Sequence, residues 1–211
     1  MSFKIDFATM LEFATRGQND IAHNSRLVAG KIKSGNAQVI ERLIFHIKHL
    51  PKEHPITKLF EGVPVLVPAP RSAPIVDGGH WPTKILCDHL VNAGLGASVQ
   101  KFLVRTTKVP KSSSFTSAEE RPSCNTHYES LSVVAPEAFV EKIILVDDVF
   151  TLGRTSCACV RRIKEIYPDA DISVFAAMRT RGFVEELANI VKPSFKTMEY
   201  NSQYDKVRLP D

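Results

Sequence analysis

Residues 143–155 read I-I-L-V-D-D-V-F-T-L-G-R-T, and this stretch decides the fold that the sequence predicts. Its first four residues form an apolar, mostly β-branched run, which is typical of a parallel strand covered on both faces. Two carboxylates, Asp147 and Asp148, follow the run, and a short turn containing Gly153 comes next. Apolar residues then recur at helical spacing, namely Cys159, Val160, Ile163, Ile166 and Tyr167. The stretch therefore predicts a strand, an acidic pair, a tight turn and a helix, in that order.

The turn of this unit is suited to a phosphate group. The first amides of a helix have no intrahelical partners and lie at the positive end of the helix dipole. Gly153 allows close backbone approach, and Thr151 and Thr155 add hydroxyl donors. The carboxylates of Asp147 and Asp148 can accept hydrogen bonds from vicinal hydroxyls or hold a hydrated divalent cation. A ribose 5-phosphate fits this order of groups; the alternative is an acidic strand end beside an ordinary helix cap.

The ten residues from Val146 to Thr155 resemble the phosphoribosyl pyrophosphate (PRPP) signature of type I phosphoribosyltransferases. In that family the acidic pair holds the ribose hydroxyls, and the following loop wraps the 5-phosphate. The resemblance implies a catalytic role for Asp147 and Asp148 and a phosphate loop made of Thr151, Leu152, Gly153, Arg154 and Thr155. Leu152 departs from the family pattern, which usually has Thr before the glycine, so we expect a weakened phosphate site.

A second loop, P-A-P-R-S-A-P at residues 68–74, follows the first predicted core strand at residues 63–67. Open α/β sheets bind ligands at the carboxyl ends of their strands, which is where this loop lies. The resemblance implies that it is the pyrophosphate loop, with Arg71 as the charged contact and Ser72 beside it. The alternative is a rigid connection without a ligand.

Residues 105–125 are polar and carry almost no apolar side chains, so they predict either a disordered insert or a functional lid. In the family that the motif resembles, a flexible loop at this point closes over PRPP, and Lys111 or Arg105 would add positive charge there. The sequence of residues 103–122 is similar to the corresponding sequence in the ComF-like branch, a group of competence-associated phosphoribosyltransferase-like proteins. That branch often carries an N-terminal zinc ribbon, which is absent here because no cysteine precedes Cys87.

Strands alternate with helices along the chain, which predicts an α/β fold with a mainly parallel twisted sheet and helices on both faces. Two helices are predicted at residues 21–33 and 37–50, and residues 3–13 are predicted as a short strand pair or an irregular edge. We therefore divide the chain into an N-terminal mainly helical extension, residues 1–55, and a phosphoribosyltransferase-like α/β domain, residues 56–211. The extension could cover the site as a hood, form a dimer surface, or do neither, so the oligomeric state is left open and a homodimer is one possibility.

Composition narrows the class of protein. The chain has 211 residues, of which 44% are hydrophobic and 24% charged, as in ordinary soluble globular proteins. The net charge of +4 is mild and spread along the sequence, so it does not favour a nucleic-acid partner. The sequence has no signal-peptide layout and no apolar run of membrane-spanning length, so we predict a cytoplasmic protein without a membrane partner. The four cysteines have no metal-ligand spacing and are predicted to be reduced, packed thiols.

The sequence and its resemblance together predict an enzyme, a phosphoribosyltransferase that uses PRPP and Mg²⁺. It would transfer ribose 5-phosphate to an unidentified nitrogen acceptor with release of pyrophosphate. Mg²⁺ is expected to arrive through PRPP near Asp147 and Asp148, without a dedicated protein site. Two alternatives stay open: a regulator that binds PRPP or a nucleotide without catalysis, and a ComF-like protein associated with DNA uptake.

Overall fold

The computed structural model describes residues 2–76, 78–111, 114–134, 140–182, 184 and 186–210. The strands are β1 (Ser2–Ala14), β2 (Val65–Pro68), β3 (Ser98–Val99), β4 (Leu103–Arg105), β5 (Leu131–Val133), β6 (Lys142–Phe150), β7 (Asp171–Arg181), β8 (Val191–Asn201) and β9 (Lys206–Arg208). The helices are α1 (Asp20–Lys33), α2 (Ala37–Lys48), α3 (Pro55–Leu59), α4 (Pro82–Asn92), α5 (Cys124–Glu129) and α6 (Arg154–Ile166).

The described strands form a seven-stranded sheet in the order β3-β2-β6-β7-β1-β8-β9, and β4 pairs with β5 in a small separate sheet. The neighbours from β3 to β1 are parallel, whereas β8 and β9 add antiparallel pairs at one side. The predicted α/β class with a mainly parallel sheet is therefore confirmed. The four consecutive residues that open the decisive stretch, 143–146, are fully buried in the centre of this sheet.

Apolar cores lie on both faces of the sheet, because successive side chains of a strand point to opposite faces. Ile143 and Leu145 of β6 pack into one core with α5 and α6. Ile144 and Val146 pack into the other core with α1, α2, α3 and α4. The prediction of helices on both faces is confirmed, and it explains why the β6 run has no polar alternation.

The first strand corrects the prediction for residues 3–13. These residues lie in β1, an interior strand that pairs in parallel with β7 and antiparallel with β8. Residues 7–12 are buried, so both faces of β1 are covered there and the sequence lacks the alternation of an exposed strand. The division of the chain after residue 55 stays a prediction, although α1 and α2 share an apolar core with α4 and β6.

Residues 99–104 read as one strand in the sequence, but the structure divides them between two sheets. Val99 ends β3, which pairs with β2, and Leu103 begins β4, which pairs with β5. Phe102 between them is buried against the core beside α6, so its burial turns the chain away from the main sheet. The connection after β4 consequently lies near the start of α6. Among the described residues, no helix has the length and apolar character needed to cross a membrane.

Candidate functional site

The structure brings the residues predicted for the site to one edge of the sheet. A cleft of about 520 Å³ opens there, and it is lined by the predicted residues Arg71, Ser72, Arg105, Lys111, Asp147, Asp148, Thr151 and Thr155. A smaller depression of about 90 Å³ lies at the start of α6, with Leu152, Gly153 and Arg154 in its wall. Asp147, Thr151 and Thr155 line both spaces, so the cleft and the depression are adjacent.

The acidic pair lies inside the last part of β6. The amide of Asp148 donates to Oδ1 of Asp147 at 2.8 Å, and the amide of Val149 donates to Oδ1 of Asp148 at 2.7 Å. Burial of its carboxyl group and the adjacent charge of Asp148 raise the pKa of Asp147 to about 8, while Lys33 opposes the rise. Asp147 therefore binds a proton more tightly than an ordinary aspartate, and a cation beside the pair would oppose that protonation.

The phosphate-sized turn opens α6 as the sequence predicts. Gly153 has a φ of 68° and precedes a helix that has no side-chain cap at this residue. A Cβ atom at Gly153 would lie 2.9 Å from Sδ of Met198 and 2.9 Å from Cζ of Phe150, closer than ordinary contacts. The Thr151 hydroxyl lies 2.8 Å from the Thr180 hydroxyl across the strand ends. Backbone amides are thus exposed to the depression, in a turn that only glycine fits without strain.

The loop after β2 is held against the segment that follows β4. Nε of Arg105 donates to the carbonyl of Arg71 at 2.9 Å, and the amide of Val109 donates to the carbonyl of Ser72 at 2.7 Å. The Arg71 side chain is exposed, and its NH1 donates to the carbonyl of His80 at 2.7 Å. Arg71 and Lys111 both line the cleft.

Arg105 is in a different place from the one that the sequence predicted. It lies in β4, not on a closing loop, and it is 3% exposed. Besides the bond to Arg71, its NH1 donates to the carbonyl of His127 at 3.2 Å and to the hydroxyl of Ser130. A buried guanidinium with acceptors on three residues is held as part of the scaffold, so the placement on a loop is wrong.

The Arg154 side chain turns away from the phosphate turn. Its NH1 lies 3.0 Å from the carbonyl of Ala118 and 2.8 Å from the carbonyl of Arg121, and a longer contact of 3.5 Å reaches Pro122. Only the backbone of Arg154 therefore belongs to the start of α6. The side chain instead ties the connection between β4 and α5 to the helix.

The cleft is also lined by residues that sequence reasoning did not assign to it, among them Lys33, Arg121 and His127. Nε2 of His127 lies 3.3 Å from the hydroxyl of Thr155. Burial, followed by the charges of Arg105 and Arg154, lowers the pKa of His127 to about 4, so its imidazole is neutral at pH 7. His127 and Thr155 are 28 residues apart, and no local pattern could have joined them.

The donor set fits a magnesium ion that arrives with its substrate. Within the described part of the chain, no group of three or more His, Cys, Asp or Glu side chains could hold a metal ion. Mg²⁺ usually keeps several waters and binds one or two carboxylates together with substrate phosphates. Asp147 and Asp148 supply two such carboxyl groups beside the depression at the start of α6, which suits a substrate-bridged ion better than a protein-only site.

Comparison with known proteins leaves the family open. No family model matches the chain, and no curated protein matches it. Two crystal structures of a hypoxanthine phosphoribosyltransferase from Staphylococcus aureus are similar. The orthorhombic form has 12% identity and a TM-score of 0.29, covering 82% of this chain and 80% of that chain. The tetragonal form has 10% identity and a TM-score of 0.30, covering 83% and 96%.

TM-scores this low do not establish that two chains share a fold. The function is therefore argued below from the cleft and its residues. The ComF-like branch, which was inferred from residues 103–122, stays a prediction because no matching protein tests it.

Proposed function

We propose that this protein binds PRPP with Mg²⁺ and transfers its ribose 5-phosphate to a nitrogen acceptor, releasing pyrophosphate. The observation that carries the proposal is that the acidic pair of β6, the start of α6 and the Arg71 loop face one cleft. The volume of about 520 Å³ lies within the range usual for small-molecule sites. A diol, a phosphate and a pyrophosphate would each meet a group of complementary chemistry.

Each part of the substrate is assigned to one part of the cleft. The ribose hydroxyls go to Asp147 and Asp148, the 5-phosphate to residues 151–155, and the pyrophosphate to Arg71 and Lys111. Mg²⁺, when bound, would neutralise part of the pyrophosphate charge beside the two carboxyl groups. Arg71 and Lys111 would stabilise the negative charge that grows on the leaving group as its bond to C1 breaks.

The acceptor is assigned to the part of the cleft at the ends of β1 and β7. Phe13 and Thr180 are register partners on these neighbouring parallel strands, and both line the cleft together with Thr15 and Lys33. An aromatic ring beside hydroxyl groups suits a planar nitrogen base, which can stack and form hydrogen bonds. The attacking nitrogen would then approach C1 from the side opposite the Arg71 loop.

The binding free energies of the individual contacts require the three parts of the cleft to act together. A helix terminus contributes up to about 2 kcal/mol, and a hydrogen bond to a charged group about 1.5 to 3 kcal/mol. Micromolar binding needs about 8 kcal/mol. The start of α6 alone is therefore insufficient, and the acidic pair with its metal and the Arg71 loop must contribute comparable amounts.

The first test is calorimetric titration of PRPP into the protein with and without Mg²⁺. We expect micromolar binding that depends on the metal, and pyrophosphate release with at least one base from a panel of nucleobases. Asp148→Asn should weaken the metal-dependent binding, whereas Asp169→Asn, at an exposed turn before β7 on the opposite edge of the sheet, should not. No binding at millimolar PRPP contradicts the proposal. Binding without release from any base would instead favour the non-catalytic regulator.

A further inference from the structure

The depression at the start of α6 is built mainly from hydrogen-bond donors. The helix has 13 residues and no side-chain cap at Gly153, so the amides of its first turn have no intrahelical acceptors. Residues 154–156 of this turn line the depression, together with the hydroxyl-bearing residue Thr151. An anion the size of one phosphate group would supply the missing acceptors.

Among the described residues, two buried side-chain nitrogens lack a hydrogen-bond partner, and both belong to this site. They are Nε of Arg121, which lines the depression and the cleft, and Nδ1 of His127, which lines the cleft. His127 is 3% exposed and contacts Thr155 in the first turn of α6. The Nε–H of Arg121 is a donor in every protonation state, and a buried donor without an acceptor costs about 1 to 3 kcal/mol, so this side chain indicates that an acceptor completes the site.

Arg121 lies beside the depression because the Arg154 side chain holds the backbone of the segment that contains Arg121. NH1 of Arg154 donates to the carbonyl of Arg121 itself at 2.8 Å and to that of Ala118 at 3.0 Å. Arg154 is also the first residue of α6, so the connection is anchored at the point where the amides are free. One guanidinium thus positions the other against the start of the helix.

We propose that Arg121 is the charged ligand of a phosphomonoester held at the start of α6, and that Arg154 is the residue that positions it. The identification of this group as the 5-phosphate of PRPP rests on the proposed function. Arg121 then replaces the hydroxyl contact that Leu152 removes from the turn, with a cation from a segment 31 residues earlier in the chain. The phosphate site is therefore shared between the turn and the connection that precedes α5.

The wall of the depression also contains Asp147, whose charge would repel a phosphate. Arg121 and Arg154 line the same depression and carry the opposite charge. Glu119 and Glu120 of the same connection are exposed to solvent. Among the described residues that line the depression, two are therefore basic and one is acidic.

The experiment is calorimetric titration of ribose 5-phosphate, with inorganic phosphate and uncharged ribose as companion ligands. We expect Arg121→Ala to weaken ribose 5-phosphate by about tenfold or more, because a charged hydrogen bond is lost. Arg121→Lys should recover part of the affinity by restoring the charge. The control is Arg42→Ala, which removes an exposed arginine from α2 and should bind as the wild type does.

The role of Arg154 is tested by a double-mutant cycle with Arg154→Met. We expect this variant to weaken ribose 5-phosphate, and the double variant with Arg121→Ala to be no weaker than Arg121→Ala alone. Arg162→Met removes another α6 arginine, which bonds to Tyr128 and Glu165, and should leave the affinity unchanged. Additive losses in the cycle would overturn the positioning role.

The outcomes separate this inference from the proposed function. If the wild type binds PRPP and both Arg121 variants bind ribose 5-phosphate like the wild type, the inference is wrong and the function stands. If the wild type binds ribose 5-phosphate through Arg121 but does not bind PRPP, the phosphate site stands and the function is wrong. If the wild type binds neither ribose 5-phosphate nor inorganic phosphate at millimolar concentration, the inference is overturned. Arg121→Lys decides the question if Arg121→Ala does not fold.

Discussion

The two ends of the connection between β4 and α5 contain arginines in opposite conditions. At the first end, Arg105 is 3% exposed and its guanidinium donates to acceptors on three residues. At the second end, Nε of Arg121 is buried without a partner, and Arg121 lines the depression at the start of α6. Both arginines come from one polar stretch, but the first stabilises the scaffold and the second leaves a donor for a ligand. A donor without an acceptor, more than positive charge, therefore distinguishes an arginine of the site from an arginine of the scaffold.

The largest expected effect comes from replacing the two arginines in turn by methionine, which keeps much of the side-chain volume. Arg105→Met leaves buried acceptors on Arg71, His127 and Ser130 without their donor, so we expect the free energy of unfolding to fall by about 3 kcal/mol. Arg121→Met loses no bond of its side chain at Nε, and we expect a change within about 0.5 kcal/mol. Urea denaturation monitored by circular dichroism measures both. Equal losses for the two variants would break the comparison.

The next effect is expected at the turn itself, where Gly153→Ala should lower the free energy of unfolding by about 2 kcal/mol. The added methyl group meets Met198 and Phe150 and also raises the cost of a positive φ. Gly94→Ala is the matched control, because Gly94 has a φ of +80° with open space around its Cβ position. Its loss should be about 1 kcal/mol, the conformational cost alone. Similar losses at both glycines would mean that the turn is looser than its contacts indicate.

A further effect should appear as a pH dependence at the acidic pair, with a size of about 1.4 kcal/mol for each unit by which the folded pKa exceeds the unfolded one. Burial and Asp148 raise the pKa of Asp147 to about 8 in the folded protein, above its unfolded value. Its contribution to stability is therefore fully present below about pH 4 and is lost as the pH rises through 8. The wild type should lose stability relative to Asp147→Asn between pH 5 and pH 9 in urea denaturation. A constant difference over this range would show that the carboxyl group is not perturbed.

The smallest effect is expected from Leu152→Thr, which restores the hydroxyl usual in the family that the turn resembles. A neutral hydrogen bond contributes about 0.5 to 1.5 kcal/mol, so ribose 5-phosphate should bind about threefold tighter by calorimetry. Leu152→Val, which has a similar shape but no hydroxyl, is the control. If Arg121 already occupies the place of that hydroxyl, the gain should grow in the Arg121→Ala background. An equal gain in both backgrounds would contradict the compensation.

The sequence predicted the central strand, the acidic pair and the start of α6 because each depends on residues close together in the chain. It did not predict β1 as an interior strand, since residues 7–12 are buried on both faces and show no alternation. It also assigned Arg105 to a loop, because polarity alone cannot distinguish a buried arginine with partners from an exposed one. His127 and Lys33 carried no signal, as their neighbours in the cleft are remote in the sequence.

The sequence by itself determined that a strand ends at Asp147 and Asp148 and that a glycine turn opens a helix after them. These features are local, since they follow from an apolar run, two adjacent carboxylates and one residue that tolerates a positive φ. Only the tertiary structure decided which arginine supports the cleft and which one faces it. Arg105 donates hydrogen bonds to acceptors 22 to 34 residues away in the sequence. Arg154 instead donates to the backbone carbonyl of Arg121 and holds that residue near the start of α6. A side chain's role depends on the acceptors that folding places around it, and local sequence carries no record of them.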